Sequence, residues 1–373
     1  MKLLFVIPSF HPANVYGGPI YSTFELSRAL ARQGHELRVL TTDANGAATL
    51  DVETSRPTMR DALHVRYCHR IAFDSVAPDL LGALWTQVAW ADVVHLTAAY
   101  SFPIPPTLLV CKAQHKPLVW SPRGAFMAWP GSSRRAAKRI WNLVCRRLVP
   151  RRLVFHATSR REAEATVAVY PGRETAVVPN GVDLAAPDPP PPPNGRLQLL
   201  YLGRLHPIKG LEVLLEGCRV LREQGVPWRL TIAGGGEQGY VSTLTRKIDA
   251  LDLAGEVSMV GPVFGDAKRE LFRRSHVVLA PSHSENFGVV VAEALAHGRP
   301  VIASHGTPWE GLEERGCGFW IENSPEAIAV AVRKIGRLDI AAMGARGREW
   351  MEQEFSWSKV AQQIASVYRS LLE

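Results

Sequence analysis

The chain has 373 residues, of which 46% are hydrophobic and 21% charged. These values exclude a disordered or fibrous protein and predict about two globular domains. The formal net charge is +8, and residues 1–180 contain 22 Lys and Arg against 12 Asp and Glu, which indicates an anionic partner for the first half. Five widely spaced cysteines argue against a disulfide or zinc framework and favour a location in the reducing cytoplasm. No apolar stretch approaches the ~20 residues of a membrane span.

In the first half, short apolar strands alternate with helical segments. We expect an opening strand at 3–7, because this apolar run is too short for a signal peptide. An amphipathic helix at 21–33 is predicted to end at Gly34. Further buried strands are predicted at 36–41, 93–96 and 117–121.

A proline tract separates the two halves. Residues 187–195 read PDPPPPPNG and follow the turn-forming segment 179–183, PNGVD. A proline run cannot enter a helix or a central strand, so it predicts an extended spacer. We predict a first domain at 1–181, a linker at 182–196, a second domain at 197–356, and a last helix at 357–373 that packs back on the first domain.

The second half repeats the alternation. Strands are predicted at 197–202, 229–233, 257–259, 277–280 and 300–303, and helices at 211–224, 240–251, 267–274, 288–296 and 324–338. This alternation predicts an α/β protein with two Rossmann-like domains, each a doubly wound parallel sheet covered on both faces. Ligands of such sheets bind at the carboxyl ends of the strands, so we expect two such edges to face each other across a cleft.

The most specific pattern is segment 281–293, in which a buried strand leads into a polar loop and then a helix. A helix start offers unpaired N–H groups, and Gly288 allows a phosphate or sugar to approach the backbone closely. Glu285 precedes the helix and Glu293 lies within it, so the two carboxylates can accept hydroxyl groups from different parts of one extended ligand. The alternative is an ordinary helix start with acidic residues on a surface helix.

Two cations follow the strand at 197–202. Arg204 and Lys209 bracket a turn at its carboxyl end, where they are suited to clamp a diphosphate and to stabilise leaving-group charge. Two solvated basic residues on a loop are the alternative. The pair Gly17 and Gly18, between the first strand and its helix, fits a phosphate-approach loop or a tight turn without a ligand.

In this order, the motifs resemble the retaining glycosyltransferases of family 4, which have the GT-B fold. The resemblance covers nearly the whole chain, from the Gly17-Gly18 loop through segment 179–183, Gly203-Arg204 and Lys209-Gly210 to the E-x7-E element that ends at Glu293. The segment 121–124, SPRG, and the pair Pro308-Trp309 are similar to members that build bacterial surface polysaccharides.

The resemblance implies transfer of a hexose or N-acetylhexosamine from a UDP- or GDP-linked donor to a lipid-linked oligosaccharide, with retention of configuration and without a metal or other cofactor. Arg204 and Lys209 would hold the diphosphate, and Glu285 would bind sugar hydroxyls. Glu293 would take the ribose. The implied donor-binding residues are Gly17, Gly18, Ser282, Asn286, Phe287, Gly288, Glu293, Val260 and Gly261, the last two beside the base.

Two residues are acceptor-side candidates. Many relatives carry a histidine on the loop where this chain has Arg123, and an arginine cannot act as a general base but can hold a phosphate or a hydroxyl. His95 matches a frequent family pattern at a strand end, where a structural role competes with a catalytic one.

A basic segment at 132–153 contains no acidic residue and has apolar residues at helical spacing. It predicts an amphipathic helix that docks on an anionic membrane, which would place the protein on the inner face of the cytoplasmic membrane. One alternative is a helix whose apolar stripe packs on the first domain, and nucleic-acid binding is disfavoured because no recognition module is present. The candidate residues of this patch are Arg134, Arg135, Lys138, Arg139, Arg146 and Arg147.

Two other functions fit parts of the sequence. Gly234, Gly236 and Gly239 satisfy G-x-G-x-x-G after a strand, which is also typical of an NAD-type oxidoreductase. That fingerprint normally occupies the first turn of its domain, whereas here a complete strand–loop–helix unit precedes it. A non-catalytic scaffold that binds sugar nucleotides or lipids is the other alternative.

Overall fold

The computed structural model describes residues 1–13, 15, 17–73, 75–127, 135–184, 189, 191 and 195–373. The chain divides into two compact units, one formed by Met1–Gly181 with Trp357–Glu373 and the other by Val182–Ser356. Each unit is built on one large parallel or mostly parallel sheet. Within the described ranges, no helix is long and apolar enough to cross a membrane.

The described strands of the first unit are β1 (Lys2–Val6), β2 (Glu36–Thr42), β3 (Ala44–Asn45), β4 (Ala48–Thr49), β5 (Thr58–Arg60), β6 (Leu63–Cys68), β7 (Val93–Thr97), β8 (Leu118–Ser121), β9 (Leu153–Ala157) and β10 (Glu174–Val177). Its helices are α1 (Gly18–Arg32), α2 (Pro78–Trp90), α3 (Ile104–Ala113), α4 (Arg135–Leu148), α5 (Arg160–Val169) and, from the end of the chain, α13 (Trp357–Leu372). The large sheet has the order β10-β9-β8-β7-β1-β2-β6-β5 and is parallel except for β5, while β3 and β4 form a separate antiparallel pair.

The described strands of the second unit are β11 (Leu197–Leu202), β12 (Trp228–Ala233), β13 (Val257–Gly261), β14 (Val277–Ala280), β15 (Val301–Ser304) and β16 (Gly318–Ile321). Its helices are α6 (Leu211–Glu223), α7 (Gln238–Ala250), α8 (Gly265–Arg274), α9 (Val289–Ala296), α10 (Gly311–Glu314), α11 (Pro325–Ile335) and α12 (Ile340–Trp350). The sheet is parallel throughout, with the order β13-β12-β11-β14-β15-β16. The order reverses between β11 and β14, and such switch points are where α/β sheets bind ligands.

Central strands of both sheets are buried on both faces. All residues of β7 and β14 are buried, as is expected for parallel strands covered by helices on each side. The predicted fold class, two doubly wound α/β sheets, is therefore confirmed. The prediction missed the helices α2, α3, α5, α10 and α12 and the strands β3, β4, β5, β6, β9, β10 and β16. It also placed the start of α1 at residue 21, whereas the helix begins three residues earlier, at Gly18, with Pro19 in its first turn.

The proline tract lies largely outside the described residues, but two of its carbonyl groups are described. Arg299, which is completely buried, donates from Nη2 to the Pro189 carbonyl at 3.1 Å. His276 Nε2 donates to the Pro191 carbonyl, also at 3.1 Å. At these two points the predicted spacer is attached to the second unit.

The last helix, α13, packs within the first unit. Its buried residues Trp357, Ile364 and Tyr368 recur at helical spacing and join the core cluster that contains β1 and α1. Trp357 lies so close to Gly181 that a Cβ atom on Gly181 would be 2.4 Å from the indole ring.

A chain of buried polar groups links α13 to three neighbouring strands. Tyr368 Oη lies 2.5 Å from His95 Nδ1, and His95 Nε2 lies 2.7 Å from Ser121 Oγ. Ser121 Oγ lies 2.7 Å from His156 Nδ1, and His156 Nε2 lies 2.8 Å from the Val178 carbonyl. A carbonyl only accepts, so His156 Nε2 donates to Val178. In a neutral histidine the other ring nitrogen accepts, so Ser121 donates to His156 Nδ1 and accepts from His95 Nε2. Tyr368 then donates to His95 Nδ1.

This direction requires both histidines to be neutral. Burial, together with the charge of Arg123, lowers the pKa of His156 to about 3. Burial also holds the pKa of His95 well below its ordinary value. Burial raises the pKa of Tyr368, so its hydroxyl keeps the proton that it donates.

We predict that Tyr368→Phe lowers the free energy of unfolding by about 1–3 kcal/mol, because it leaves the buried His95 Nδ1 without a donor. Urea unfolding followed by tryptophan fluorescence measures the loss. Ser366→Ala, on the exposed side of the same helix, is the control and should stay within about 0.5 kcal/mol of the wild type. Equal stability of the two variants would contradict the prediction.

We also predict that stability falls as the pH drops below about 6.5, because the unfolded chain binds protons at His95 and His156 that the folded chain does not. The loss is up to about 1.4 kcal/mol per pH unit for each histidine, and for His156 it continues to a pH of about 3. The measurement is the urea midpoint between pH 7.5 and 5.5. His156→Gln should reduce the slope, whereas the exposed His115→Asn should retain the wild-type slope.

Candidate active site

The loop between β14 and α9 places a helix start at the carboxyl edge of the second sheet. Gly288 has φ 77° and ψ 61°, a left-handed conformation that favours glycine, and it caps α9, which therefore begins at Val289 and not at the predicted Gly288. Among the described residues, the N–H groups of Asn286, Phe287 and Gly288 have no hydrogen-bond acceptor. Open N–H groups at a helix start favour an anion.

Trp309 is buried beneath this loop and contacts it through a hydrogen bond and ring packing. Its indole Nε1 donates to the Phe287 carbonyl at 2.5 Å, and its ring packs against Phe287, Trp350 and Phe355. The C=O and N–H groups of a trans peptide point in opposite directions, so anchoring the Phe287 carbonyl inward directs the Gly288 N–H outward. The sequence marked Trp309 only as a match to a family pattern, and this contact was not predicted.

Lys209 and Glu285 form an ion pair between two loops. Lys209 Nζ contacts Glu285 Oε1, and Ser282 Oγ donates to the same oxygen at 3.0 Å. The lysine and glutamate side chains are only 17% and 15% exposed, so solvent screens their attraction weakly. His283 N also donates to the Ile208 carbonyl at 2.8 Å, which ties the loops together through the backbone.

A short 3-10 turn, Pro207–Lys209, brings Lys209 to this position. His206 Nδ1 accepts from the Ile208 N–H at 3.2 Å and so caps the turn. Gly210 follows with φ 68°, and a Cβ atom on it would lie 2.0 Å from the Pro281 carbonyl oxygen. The close contact between the two loops therefore requires glycine at this position.

Arg204 is not part of this cluster. Its side chain is exposed and makes no hydrogen bond or ion pair with any residue that the structure describes. Its backbone carbonyl accepts from Tyr201 Oη at 2.9 Å. Burial, and then the charge of Glu285, raise the pKa of Tyr201, so the phenol remains a donor.

Glu293 is paired with a lysine that the sequence analysis did not select. Lys268 Nζ, on α8, lies 2.5 Å from Glu293 Oε1. The two residues belong to separate helices, and no motif spacing connects them, so only the packing of α8 near α9 reveals the pair. Val260 and Gly261 end β13, and the Val260 side chain is exposed, but no described hydrogen bond joins either residue to Glu293.

Two of the three glycines of the G-x-G-x-x-G match, Gly234 and Gly236, are explained by packing between loops. A Cβ atom on Gly234 would lie 1.8 Å from the Gly203 carbonyl oxygen, and one on Gly236 would lie 2.4 Å from the Leu205 carbonyl oxygen. The loops after β11 and β12 can therefore approach each other only with glycine at 234 and 236. This close approach accounts for both residues without a dinucleotide.

In the first unit, the candidates occupy different environments. Gly17 is the N-cap of α1 and Gly18 is its first residue. Both ring nitrogens of His95 are hydrogen-bonded inside the unit, so neither is open to a substrate in this structure. Arg123 has φ 56°, donates from Nη1 to Asn180 Oδ1 at 2.6 Å, and keeps a buried Nε with no acceptor among the described residues.

The predicted basic helix is present as α4. Arg134 and the side chain of Arg135 lie outside the described residues. The inward face of the helix is formed by Cys145, which is buried, and by Trp141, whose Nε1 donates to the Ala99 carbonyl at 2.8 Å.

Apolar side chains lie on the outward face of α4. Ile140, Leu143 and Val144 are exposed, Ile140 by 66%. The alternative in which this stripe packs on the first unit is therefore wrong for these three positions. Two of the basic residues predicted for the patch have partners within the unit. Lys138 Nζ lies 5.2 Å from the centre of the Tyr100 ring, and Arg146 Nε donates to the Val169 carbonyl at 2.9 Å. The side chains of Arg139 and Arg147 are exposed.

Two family models match the chain, one in each half. The model described as Glycosyltransferase Family 4 matches residues 16–186, and the model described as Glycosyl transferases group 1 matches residues 185–350. The D-inositol 3-phosphate glycosyltransferase of Kineococcus radiotolerans is 28% identical over 409 residues, which cover 96% of this chain and 91% of that protein.

Solved structures share the fold. HepE of Anabaena, in complex with UDP and glucose, has a TM-score of 0.77 and 21% identity, over 99% of this chain and 100% of that one. WaaG, a glycosyltransferase involved in lipopolysaccharide biosynthesis, has a TM-score of 0.66 and 15% identity, over 98% and 99% of the two chains. Because the two family models together cover both sheets and the fold is that of solved glycosyltransferases, the chain belongs to glycosyltransferase family 4 and has the GT-B fold.

Proposed function

We propose that this glycosyltransferase transfers a hexose or N-acetylhexosamine from a UDP- or GDP-linked donor with retention of configuration. The observation that carries the proposal is the Lys209–Glu285 ion pair beside the open N–H groups of residues 286–288. A cation, a carboxylate and a helix start in one loop cluster suit the phosphates and the sugar hydroxyls of a nucleotide sugar.

In the proposed mechanism, Lys209 and the exposed Arg204 bind the donor diphosphate. Both cations then stabilise the negative charge that develops on the leaving nucleotide, and the N–H groups at 286–288 add to this effect. These groups belong to the protein, and on this basis we propose that the reaction needs no metal ion. Gly17 and Gly18, with their backbone at the start of α1, are proposed to bind phosphate.

Glu285 is proposed to orient the donor sugar. Its Oε1 is occupied by Lys209 and Ser282, while Oε2 has no partner among the described residues and is available to a sugar hydroxyl. Holding the sugar in one orientation favours departure of the nucleotide and attack by the acceptor on the same face, through an oxocarbenium-like state. Glu293 is proposed to bind the ribose, and Val260-Gly261 to border the base.

The names of similar proteins support a choice of substrates. The HepE structure contains UDP and glucose, and WaaG is involved in lipopolysaccharide biosynthesis, which together favour a UDP-sugar donor and a lipid-linked saccharide of a surface polysaccharide as acceptor. The name of the Kineococcus relative offers a phosphorylated polyol as a second acceptor, which the positive charge of the first half also suits. Nucleotide release with each acceptor, across a panel of UDP- and GDP-sugars, distinguishes the two.

We further propose that α2, α3 and α4 dock on an anionic membrane, which would place the enzyme on the inner face of the cytoplasmic membrane. The three helices are neighbours, since Gln114, beyond the end of α3, donates to the Trp85 carbonyl at 3.0 Å and Lys112 donates to the Arg147 carbonyl at 2.6 Å. Exposed apolar side chains occur on all three helices: Leu81, Trp85, Leu109, Ile140, Leu143 and Val144. Trp85 is 56% exposed, and an indole favours the interface between lipid and water.

Charge supports the choice of an anionic lipid surface. From residue 93 to residue 161 the sequence contains 13 Lys and Arg and no Asp or Glu. Each basic residue near an anionic bilayer contributes about 1 kcal/mol of attraction. An exposed apolar face combined with unopposed positive charge is typical of a reversible membrane-surface contact.

We predict that Lys209→Ala and Glu285→Ala each reduce turnover of the accepted donor about a hundredfold or more, because each removes charge or orientation needed in the transition state. Nucleotide release from the donor panel is the measurement. Lys247→Ala is the matched control, since Lys247 forms an ion pair with Glu216 at 2.6 Å between α6 and α7. Near-native turnover of both site variants would contradict the assigned roles.

We predict that Arg139→Glu combined with Arg147→Glu weakens binding to phosphatidylglycerol vesicles at least about tenfold, because reversing two charges removes several kcal/mol of attraction. Vesicle sedimentation measures the binding. Arg246→Glu combined with Arg337→Glu, two exposed positions of the second unit, makes the same change in net charge and should leave binding unchanged. Equal effects of the two pairs would reduce the proposal to a general effect of net charge.

A further inference from the structure

The two glutamates of the E-x7-E element are each paired with a lysine from a different part of the second unit. Glu285 contacts Lys209 from the turn after β11, and Glu293 contacts Lys268 from α8. The side chains of Lys268 and Glu293 are 29% and 17% exposed. Their contact joins two helices and is less exposed than the arginine–carboxylate pairs within α8 itself, so it is less weakened by solvent.

Only one oxygen of the Glu293 carboxylate is engaged. Lys268 contacts Oε1, and Oε2 makes no hydrogen bond or ion pair with any residue that the structure describes. A carboxylate has about four acceptor positions on its two oxygens, so most of them remain available. A carboxylate that is held at one oxygen and open at the other is suited to accept a hydrogen bond from a hydroxyl group in a fixed position.

Lys268 also follows directly on the segment that the proposed function places beside the base. β13 ends at Gly261 and α8 begins at Gly265, so Lys268 lies within the first turn or so of the helix that this segment leads into. Val260 and Phe264, at the two ends of the segment, have exposed side chains. The segment and the lysine are consecutive in the chain, and a shift of α8 would move both.

We propose that Lys268 is a positioning residue that orients the Glu293 carboxylate toward the 2′-hydroxyl of the donor ribose. The inference rests on the proposed function, since it requires the nucleotide to bind in the second unit. The ammonium group limits rotation of the carboxylate and offsets its negative charge close to the anionic diphosphate. Lys268 thereby makes the enzyme select ribonucleotides over deoxyribonucleotides without touching the nucleotide itself.

The test compares UDP with 2′-deoxy-UDP, or the matching guanine pair if the enzyme binds GDP, by titration calorimetry. We expect the wild type to bind UDP about tenfold more tightly, the effect of one hydrogen bond to a charged group. Lys268→Met should weaken UDP binding about tenfold and leave 2′-deoxy-UDP within about twofold, so that the ratio approaches one. Lys268→Arg should retain most of the ratio, because a guanidinium also holds a carboxylate.

Two further variants keep the test specific. Glu293→Gln should lose the preference for UDP over 2′-deoxy-UDP, as Lys268→Met does. If Lys268→Met fails to fold, Glu293→Gln still tests whether the carboxylate binds the ribose, and Lys268→Arg tests the lysine position. Lys247→Met, which removes a lysine from the separate pair with Glu216, should retain the wild-type ratio.

Three outcomes would overturn the inference. The first is an equal loss of affinity for both nucleotides in Lys268→Met, which would assign the lysine to the phosphates. The second is an unchanged ratio of the two affinities in that variant. The third is a wild type that does not distinguish the two nucleotides. The proposed function is tested independently by donor turnover in Lys209→Ala, which does not depend on the ribose. Loss of turnover there with an unchanged ratio in Lys268→Met would reject the inference alone.

Discussion

The contact between Lys209 and Glu285 depends on how two loops of the second sheet are packed. β11 and β14 are adjacent at the point where the strand order reverses, so the loops that follow them emerge side by side. Gly210 allows the first loop to press against the Pro281 carbonyl. Because a Cβ atom there would collide with the backbone, the position of Lys209 is set by this packing as much as by its own turn.

The same packing determines which backbone groups are open. Trp309 fills the core under the second loop and takes the Phe287 carbonyl as its acceptor. The N–H groups on the other side of that loop remain without partners in the described structure, which is unfavourable unless water or a ligand satisfies them. A polyanionic ligand can accept hydrogen bonds from these N–H groups, so the loop is suited to bind one.

Charge is balanced differently in the two units. In the second unit, the glutamates of the E-x7-E element each have a lysine beside them, so neither carboxylate is an unpaired negative charge. In the first unit, the buried polar chain from Tyr368 to Val178 is neutral, and basic residues are instead concentrated on exposed helices. Burial keeps this polar chain neutral, while the outer face of α4 combines charge with exposed apolar side chains.

Local patterns in the sequence determined much of the architecture. Apolar runs and their alternation with helical segments predicted two doubly wound sheets, because a strand buried on both faces is mostly apolar. The motifs around Gly288 and Lys209 predict a phosphate site, since strand ends and helix starts have the same chemistry in any such sheet. The structure brings these two loops together. Short elements such as α3, which begins Ile-Pro-Pro, have too little periodicity to be predicted in this way.

Tertiary structure alone decided the contacts between residues that are distant in sequence. Lys268 reaches Glu293 only because α8 and α9 lie close together, and no spacing between them follows a pattern. The pairing of His95 with Tyr368, 273 residues apart, and the exposure of Ile140 likewise depend on which element covers which surface. Sequence periodicity indicates that a face is apolar or polar, but the partner of that face is set by the packing of the whole unit.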